Sequence, residues 1–234
     1  MNIAIILAGG TGSRLGSDIP KQFLELSGQM MIMHSMKAFA DSEYVTNIQI
    51  VAAGEWRAQI EDAIFEEPDS ELAEKFLGFS EPGENRQLSI YNALKDLKEM
   101  FGEASIDAVI IHDAARPFVT VETVNECLLA LDEHDGAMPA LPMNDTVYFS
   151  RNGQKVDELL NRNCIFAGQA PEAFRFGKYL AANEVLCPDK ILYIKGSTEP
   201  AIMAGMDVTM IPGDQRNFKV TTMEDMERAR QVDI

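Results

Sequence analysis

The sequence predicts an α/β fold built on a doubly wound, mainly parallel sheet. Three observations predict it: short apolar runs bounded by turn residues recur along the chain, helical patterns lie between them, and the two kinds of segment alternate. Such alternation places helices on both faces of a parallel sheet. The chain has 234 residues and no linker-like or repeated segment, so we predict one domain over residues 1–234.

The predicted strands are apolar runs of strand length that are rich in β-branched residues. A run that is apolar throughout, rather than alternating, indicates a strand buried on both faces, as in a parallel sheet. In chain order the runs are NIAIILA (2–8), IQIVAA (48–53), DAVIIHDA (107–114), DGAMPALP (135–142) and MDVTMIP (206–212).

The predicted helices lie between these strands. They are MIMHSMKAFADS (31–42), EWRAQIEDAIFEE (55–67), ENRQLSIYNALKDLKEMF (84–101), TVETVNECLLALDEH (120–134) and TTMEDMERARQV (221–232). Two of them open on a hydroxyl residue followed by an acidic one, which is typical of a helix N-terminus.

Residues 143–170 interrupt the alternation of strand and helix. The pattern TVYFS-RNGQ-KVDELL at 146–160 predicts a hairpin around Asn152-Gly153, since Asn-Gly is a strong hairpin signal. We therefore predict that residues 143–170 form an inserted β-arm that protrudes from the sheet. Residues 66–80 carry the weakest pattern, and no element is predicted there beyond the end of the helix at 67.

Composition excludes several classes of partner. The formal net charge of −17 argues against nucleic acid, and no apolar run reaches the roughly 18 residues of a membrane helix. The opening MNIAIILAGG lacks a basic region and a small-residue cleavage site, so we interpret it as a strand rather than a signal peptide. Cys127, Cys164 and Cys187 are far apart and fit neither a disulfide framework nor a zinc site, which favours a cytoplasmic protein.

The segment LAGGTGSRLGSDIPKQFLELSG (7–28) follows the first strand, where open α/β sheets bind anionic ligands. It is not a Walker loop, because serine rather than Lys-Ser/Thr follows its glycines, and not a dinucleotide fingerprint, because Leu15 replaces the third glycine. The alternative is a tight turn that needs glycine for positive φ. Arg14 and Lys21 favour a nucleoside triphosphate, because in an acidic chain local cations must overcome the general field.

The segment IIHDAARPF (110–118) is the second signal. Asp113 ends a strand and so points into the same crevice, where a carboxylate is a ligand for Mg²⁺. Arg116 offers a planar fork that suits a phosphate dianion. The alternative is an Asp–Arg surface ion pair. His112 is predicted to point to the opposite face of the strand, into packing.

Two further segments carry cations at helix starts. In PGENRQLS (82–89), Asn85 is placed to cap a helix, and Arg86 and Ser89 share one face near its beginning. In NFKVTTMEDM (217–226), Lys219 lies between a strand end and a helix start. Taken singly, the first segment is better explained by a capped helix with a solvated arginine, and the second by a solvated lysine.

In this order and at these distances, the four motifs resemble the cytidylyltransferases that load a sugar-alcohol phosphate onto CTP. One group of that family makes 4-diphosphocytidyl-2-C-methylerythritol, and a sister group makes CDP-ribitol. The resemblance spans the chain from Ile3 to about Ala229. It implies a Rossmann-like nucleotidyltransferase fold, a Mg²⁺ cofactor, CTP and a polyol phosphate as substrates, and a homodimer in which the arm reaches the partner subunit.

The resemblance also implies residue roles. Catalytic contacts to the triphosphate would come from Arg14, Lys21 and Lys219. The nucleotide would be held by Ala8, Gly9, Gly10, Gly12, Gly83, Glu84, Arg86 and Ser89. Asp113 would lie at the metal and the acceptor, and the polyol phosphate would be bound by Arg116, Thr146 and Arg162.

The sequence departs from the family pattern in two places. APE at 170–172 replaces the usual TPQ, which removes one hydroxyl from the acceptor site, and GSTEPAIMAG at 196–205 only loosely matches the usual acidic helix start. GEWRAQIEDAI and AGQAPEAF are closer to the ribitol group, so of methylerythritol phosphate and ribitol 5-phosphate the latter is favoured as acceptor. The alternatives are a nucleotidyltransferase for another triphosphate and sugar phosphate, and a non-catalytic nucleotide-binding subunit.

Overall fold

A central β-sheet forms the middle layer of the protein. We describe it from a computed structural model, which covers residues 1–10, 19–66 and 70–232. In chain order, the strands within these ranges are β1 (Asn2–Leu7), β2 (Glu25–Leu26), β3 (Gln29–Met30), β4 (Asn47–Val51), β5 (Phe76–Ser80), β6 (Ala108–Asp113), β7 (Gly136–Pro142), β8 (Val147–Phe149), β9 (Glu158–Leu160), β10 (Phe166–Gly168), β11 (Glu172–Arg175) and β12 (Val208–Pro212).

The order of the sheet is β10-β7-β11-β6-β1-β4-β5, with β12 paired to β7. β1 is parallel to β4 and β6, β4 is parallel to β5, and β12 is parallel to β7. β11 runs antiparallel to β6 and β7, and β10 runs antiparallel to β7. The prediction of a mainly parallel sheet is confirmed, with antiparallel pairs confined to one side of it.

Helices cover both faces of this sheet. In chain order they are α1 (Met31–Ala40), α2 (Gly54–Ile64), α3 (Glu71–Lys75), α4 (Arg86–Phe101), α5 (Val121–Leu129), α6 (Phe176–Glu184), α7 (Thr198–Met203) and α8 (Met223–Ala229). All five predicted strands are observed, as β1, β4, β6, β7 and β12, and the five predicted helices are α1, α2, α4, α5 and α8. The predicted helix starts are also observed, because the hydroxyls of Thr120 and Thr222 accept backbone N–H groups of α5 and α8.

Successive residues of β1 pack into opposite layers. Ala4 and Ile6 belong to a buried cluster with α1, α2 and α5, whereas Ile3 and Ile5 belong to a cluster with α4 and α6. All four side chains are fully buried. Burial on both faces explains why the strand is apolar throughout, and it confirms the doubly wound arrangement.

Residues 143–170 contain the antiparallel pair β8 and β9, which forms a two-stranded sheet of its own. Gly153 adopts a φ of 72° in the loop between them, and Asn152 Oδ1 accepts the N–H groups of Gln154 and Lys155. The last part of the predicted arm differs, because Phe166–Gly168 return to the central sheet as β10.

Elements at 66–80 and 172–184 are absent from the predictions. The first stretch contains α3 and β5, and the second contains β11 and α6. Among the described residues, no helix is both long enough and apolar enough to cross a membrane. The three cysteines are free, as expected.

Candidate active site

A cavity of about 460 Å³ lies at the carboxyl edge of the sheet, beside the ends of β1 and β6. Leu7 and Asp113, the last residues of those strands, are paired neighbours. Nine residues that the sequence analysis selected line this cavity: Gly9, Gly10, Lys21, Gly83, Glu84, Arg86, Ser89, Asp113 and Lys219. Five more residues line it: Asn85, which was predicted only as a helix cap, and Leu7, Gln22, Ala115 and Thr221, which have no predicted role.

The described part of the glycine-rich segment is held down by a buried glutamine. Gln22 Nε2 donates to the carbonyl oxygens of Ala8 at 2.6 Å and Gly10 at 2.8 Å. A Cβ atom on Gly9 would lie 2.7 Å from the Cβ of Pro82, so only glycine fits there. These two hydrogen bonds fix the orientation of the Ala8 and Gly10 carbonyls beside the cavity. Lys21, the neighbour of Gln22 in sequence, also lines the cavity.

The start of α4 forms a further part of the cavity wall. Asn85 caps the helix, as predicted, by accepting the N–H of Leu88 at 2.8 Å. The Ser89 hydroxyl accepts the N–H of Gly83 at 2.9 Å and donates to the Asn85 carbonyl at 2.9 Å. A Cβ atom on Gly83 would lie 2.6 Å from the Leu88 side chain, so this turn requires glycine. Ser89 therefore shapes the wall through hydrogen bonds within the turn.

Asp113 joins cations from two distant segments. Its Oδ1 accepts Arg86 Nε at 3.0 Å, and its Oδ2 accepts Lys219 Nζ at 2.8 Å. Burial alone would raise the pKa of this carboxyl, but Arg86 and Lys219 hold the pKa well below its usual range. Asp113 is thus ionised at neutral pH, and it holds both cations at the cavity wall.

Arg86 is held on three sides. Besides Asp113, its Nη1 donates to Ser197 Oγ at 2.6 Å, and its Nη2 forms an ion pair with Glu172 Oε2 at 3.4 Å. Burial opposes the charge, yet the two carboxylates Asp113 and Glu172 raise the pKa of Arg86 above its usual value. Burial raises the pKa of the Glu172 carboxyl, an effect that Arg86 opposes.

Lys219 lies on a loop that is fastened to the sheet by buried amides. Gln169 Nε2 donates to the carbonyl oxygens of Asp214 at 2.8 Å and Asn217 at 3.2 Å. Asn217 Nδ2 in turn donates to the carbonyl of Ala170 at 2.7 Å. These bonds place Lys219 opposite the glycine-rich segment.

Arg116 and His112 lie beneath the cavity rather than in its wall. Arg116 Nη1 donates to the Asn217 carbonyl at 2.7 Å, and its Nε lies 3.9 Å from Asp113 Oδ2. His112 is fully buried, with Nε2 3.0 Å from the Arg116 carbonyl oxygen, so its predicted packing role is confirmed. Burial lowers the pKa of His112 to about 4, and its imidazole is therefore neutral at pH 7.

The remaining predicted residues are not in the cavity wall. Ala8 is buried beside it and donates its N–H to the Val51 carbonyl at 2.9 Å. Thr146 and Arg162 belong to the arm region and are exposed, and Arg162 Nη1 donates to the Asn144 carbonyl at 2.6 Å. Gly12 and Arg14 lie outside the described residues.

The donor set does not fit a resident metal ion. Both oxygens of Asp113, the predicted Mg²⁺ ligand, already accept hydrogen bonds from cationic side chains. The residues described here include no group of three His, Cys, Asp or Glu side chains placed to hold a metal. A Mg²⁺ ion at this cavity would need most of its ligands from phosphate oxygens and water.

Four polar residues that hold neighbouring groups through hydrogen bonds were not predicted: Gln22, Gln169, Asn217 and Glu172. Gln22 is next to Lys21 and Asn217 is two residues before Lys219, so a polar side chain close to a candidate cation is the available signal for both. Glu172 stands inside APE, which the sequence analysis noted only for its missing hydroxyl. Nothing local in the sequence indicates Gln169, because its partners lie more than 40 residues further along the chain.

The fold and the cavity define an α/β nucleotidyltransferase: a glycine-rich segment follows the first strand of an open sheet, and cations from two further segments face it. The family model described as IspD, 2-C-methyl-D-erythritol 4-phosphate cytidylyltransferase, matches residues 2–232. The chain belongs to this family of CTP-dependent cytidylyltransferases.

Individual relatives agree with this assignment. The chain is 34% identical over 234 residues to the 2-C-methyl-D-erythritol 4-phosphate cytidylyltransferase of Thermotoga neapolitana, covering 99% of this chain and 96% of that one. It is 28% identical over 233 residues to a ribitol-5-phosphate cytidylyltransferase of Streptococcus pneumoniae serotype 2, covering 99% and 98%. The chain also matches a bifunctional enzyme IspD/IspF of Paramagnetospirillum magneticum with 32% identity over 97% of its length, but spans only 56% of that enzyme.

The fold has a close counterpart among solved structures. The crystal structure of 4-diphosphocytidyl-2C-methyl-D-erythritol synthase from Anaerococcus prevotii superposes with a TM-score of 0.82 at 24% identity. The superposition covers 98% of this chain and 94% of that one. At this identity the likeness supports the fold.

Proposed function

We propose that the protein transfers a cytidylyl group from CTP to 2-C-methyl-D-erythritol 4-phosphate and releases pyrophosphate. The observation that carries the proposal is the meeting of Lys21, Arg86, Asp113 and Lys219 in one cavity beside the glycine-rich segment. These side chains come from four separate segments of an acidic chain, and a triphosphate is the ligand that accounts for cations collected at one edge of the sheet.

The proposed chemistry is a direct displacement. A phosphate oxygen of the acceptor attacks the α-phosphorus of CTP, the bond to the β-phosphate bridging oxygen breaks, and pyrophosphate leaves with that electron pair. No side chain needs to act as a nucleophile, because the acceptor phosphate is already an anion. Lys21 and Lys219 position the triphosphate and stabilise the charge that grows on the α-phosphoryl oxygens, and Arg14 is proposed to join them.

Mg²⁺ belongs to the proposal as part of the substrate, Mg·CTP, rather than as a resident cofactor. The phosphates of CTP would supply most of its ligands, and Asp113 is a carboxylate of the cavity wall to which it, or water bound to it, could be directed. Asp113 remains occupied by Arg86 and Lys219 in the free protein.

Two observations bear on the acceptor. Identity is higher to relatives named for methylerythritol phosphate than to one named for ribitol 5-phosphate, at 34% against 28%. The segments GEWRAQIEDAI and AGQAPEAF, the second of which contains Ala170 in place of the family's threonine, support the second candidate, ribitol 5-phosphate. We propose methylerythritol phosphate as the main acceptor on the first observation.

We also propose a homodimer in which the arm of one subunit completes the acceptor site of the other. The arm presents large apolar side chains to solvent, with Tyr148 56% exposed and Leu159 63% exposed. Thr146 and Arg162 lie in the same region, away from the described cavity of their own chain. A partner subunit would bury the apolar groups and bring these two residues to an acceptor.

The test is a matrix of reactions. The protein is incubated with Mg²⁺, one of CTP, UTP, GTP or ATP, and one of the two polyol phosphates, and the CDP product and pyrophosphate are measured. We expect equimolar products from CTP, with a higher kcat/KM for methylerythritol phosphate. Preference for ribitol 5-phosphate would move the acceptor to the second candidate. Turnover with another triphosphate, or CTP binding without any turnover, would reject the proposed function.

A further inference from the structure

Glu172 lies on the side of Arg86 away from the cavity and is largely buried. Its side chain is 12% exposed and does not line the cavity, so it is not placed to touch a substrate. Three donors converge on its carboxylate: Arg86 Nη2, the Ser197 hydroxyl and the Thr198 hydroxyl, the last at 3.0 Å from Oε1. A buried carboxylate with this many donors holds its partners in fixed positions.

The arrangement determines which way Arg86 faces. Nη1 donates to Ser197, Nη2 pairs with Glu172 and Nε–H donates to Asp113, so each of the three guanidinium nitrogens has a partner. Asp113 in turn bonds Lys219. A chain of charges therefore runs from Glu172 through Arg86 and Asp113 to a cation at the cavity wall.

The two segments in which this chain departs from its family pattern meet at this carboxylate. APE supplies Glu172 from β11, and GSTEPAIMAG supplies Ser197 and Thr198 at the start of α7. One departure adds a carboxylate, and the other puts hydroxyl donors within reach of it.

We propose that Glu172 is a positioning residue that orients Arg86 against Asp113 and thereby keeps Asp113 and Lys219 in place for the transfer reaction. This inference rests on the proposed function for its kinetic consequences, but not for the orientation of Arg86 itself. β11 and α7 would then affect the rate of the reaction, although Glu172 and Thr198 do not line the cavity.

The first test is Glu172→Gln, which keeps the size of the side chain and removes its charge. We expect kcat to fall about tenfold, because a displacement of about an ångström at a reacting centre costs one to two powers of ten. KM for CTP should not rise, because Glu172 does not line the cavity and the change removes no contact with the triphosphate. The matched control is Glu199→Gln, whose amide oxygen can still accept the N–H of Lys195 and which does not contact Arg86.

The second test restores the charge from the neighbouring helix. Thr198→Asp in the Glu172→Gln background puts a carboxylate where the Thr198 hydroxyl now meets residue 172, and we expect it to recover part of kcat, about threefold or more. Thr198→Asn in the same background has the same shape without the charge and should recover nothing. A structural role for Glu172 would not separate these two variants.

A third readout does not depend on turnover. The Nε–H signal of Arg86, assigned by its loss in Arg86→Lys, should exchange with water about tenfold faster in Glu172→Gln and at the wild-type rate in Glu199→Gln. Wild-type protein without turnover would count against the proposed function, while this signal would still test the orientation of Arg86.

The inference is overturned if Glu172→Gln leaves both kcat and the exchange rate within about twofold of the wild type, or if Asp and Asn at position 198 recover kcat equally. Should Glu172→Gln fail to fold, Thr198→Val removes one donor and keeps the carboxylate. It should lower kcat and speed the exchange in the same direction, and unchanged values would overturn the inference.

Discussion

Asp113 is the residue on which the charges of the cavity meet. Its two oxygens bind Arg86 and Lys219, and its low pKa keeps it ionised, so both cations have a partner before any ligand arrives. A triphosphate would compete with Asp113 for Lys219. In the free protein, Lys219 is therefore held in an ion pair with Asp113. A ligand with a higher charge density is needed to displace Asp113 from it.

We predict that Lys219→Gln lowers kcat by about 100-fold or more, because it removes a cation that stabilises charge in the transition state. Lys190→Gln is the matched control, since it removes the charge of an exposed lysine that does not line the cavity. Initial rates of pyrophosphate release with saturating CTP measure the effect. A kcat for Lys219→Gln within about fivefold of the control would remove Lys219 from the catalytic groups.

The buried imidazole of His112 gives the protein a pH-dependent stability. Burial lowers its pKa to about 4, whereas the unfolded chain binds the proton below about pH 6.5. Because the unfolded state binds more protons in between, the free energy of unfolding falls as pH decreases from about 6.5 to about 4, by up to about 3 kcal/mol.

His112→Gln should remove this part of the pH dependence, because glutamine keeps an amide donor for the Arg116 carbonyl and does not titrate. Urea denaturation at pH 7 and pH 4.5 gives the free energy of unfolding of each protein at both pH values. The loss on acidification is then compared between the wild type and His112→Gln. An equal loss of stability on acidification in the two proteins would show that other groups cause it.

The residues of the site fall into two groups, according to how far along the sequence their hydrogen-bond partners lie. Gly83, Asn85 and Ser89 could be predicted because they form hydrogen bonds with one another within one turn. Such bonds leave a characteristic spacing in the local sequence. Arg86 could be predicted to lie at the cavity, but its clamp by Glu172 could not, since the two are 86 residues apart and come together only through the sheet. The residues that line the cavity can thus be predicted from local motifs. The contacts that hold them in place depend on the order of strands in the sheet and cannot.

At the scale of elements, the start of α4 serves both stability and the site. Asn85 caps the helix, and its carbonyl accepts the Ser89 hydroxyl that also holds Gly83. α5 has a comparable cap, in which Thr120 Oγ1 accepts the N–H of Thr123 at 3.2 Å, but Thr120 does not line the cavity. The two helices allow a matched comparison of cap and site.

We expect Asn85→Ala and Thr120→Ala each to lower the free energy of unfolding by about 1 kcal/mol through loss of the cap. Only Asn85→Ala should also raise KM for CTP, by about threefold or more, because Gly83, Arg86 and Ser89 lose their fixed positions. Chemical denaturation and steady-state kinetics on the same preparations make the comparison. Equal KM values in the two variants would mean that the start of α4 is only structural.

The elements that escaped prediction are those whose existence depends on neighbours. β11 has four residues and pairs between β6 and β7 on the antiparallel side of the sheet. α6 has a weak apolar pattern, and it is fixed by Tyr179, whose ring stacks on Phe174 of β11 at 4.1 Å. Local periodicity detects β1, β4 and β6 because they are apolar on both faces, but it cannot detect a short strand that is specified by its partners.

At the scale of the whole molecule, the arm presents large apolar side chains to solvent, among them Tyr148 and Leu159. We predict that the wild type is a dimer and that Tyr148→Ser with Leu159→Ser shifts it to a monomer by removing apolar contact area. Sedimentation velocity measures the change. Val185→Ser with Ile202→Ser removes side chains of similar exposure elsewhere, and this control should remain a dimer.

The same variants separate the two substrates. Monomeric protein should keep its affinity for CTP, because the described cavity is formed within one chain, and should lose affinity for the acceptor if Thr146 and Arg162 act across the interface. Calorimetric titration with CTP and the KM for the acceptor give the two values. A wild type that sediments as a monomer would contradict the proposed homodimer.

The most direct measurement is a crystal structure with a CTP analogue in which methylene replaces the oxygen between the α- and β-phosphates. We predict that its α-phosphate lies in the cavity with Nζ of both Lys21 and Lys219 within about 3 Å of its oxygens. An analogue bound outside the cavity, or bound with either ammonium more than about 6 Å from the α-phosphate, would contradict the proposed transfer reaction.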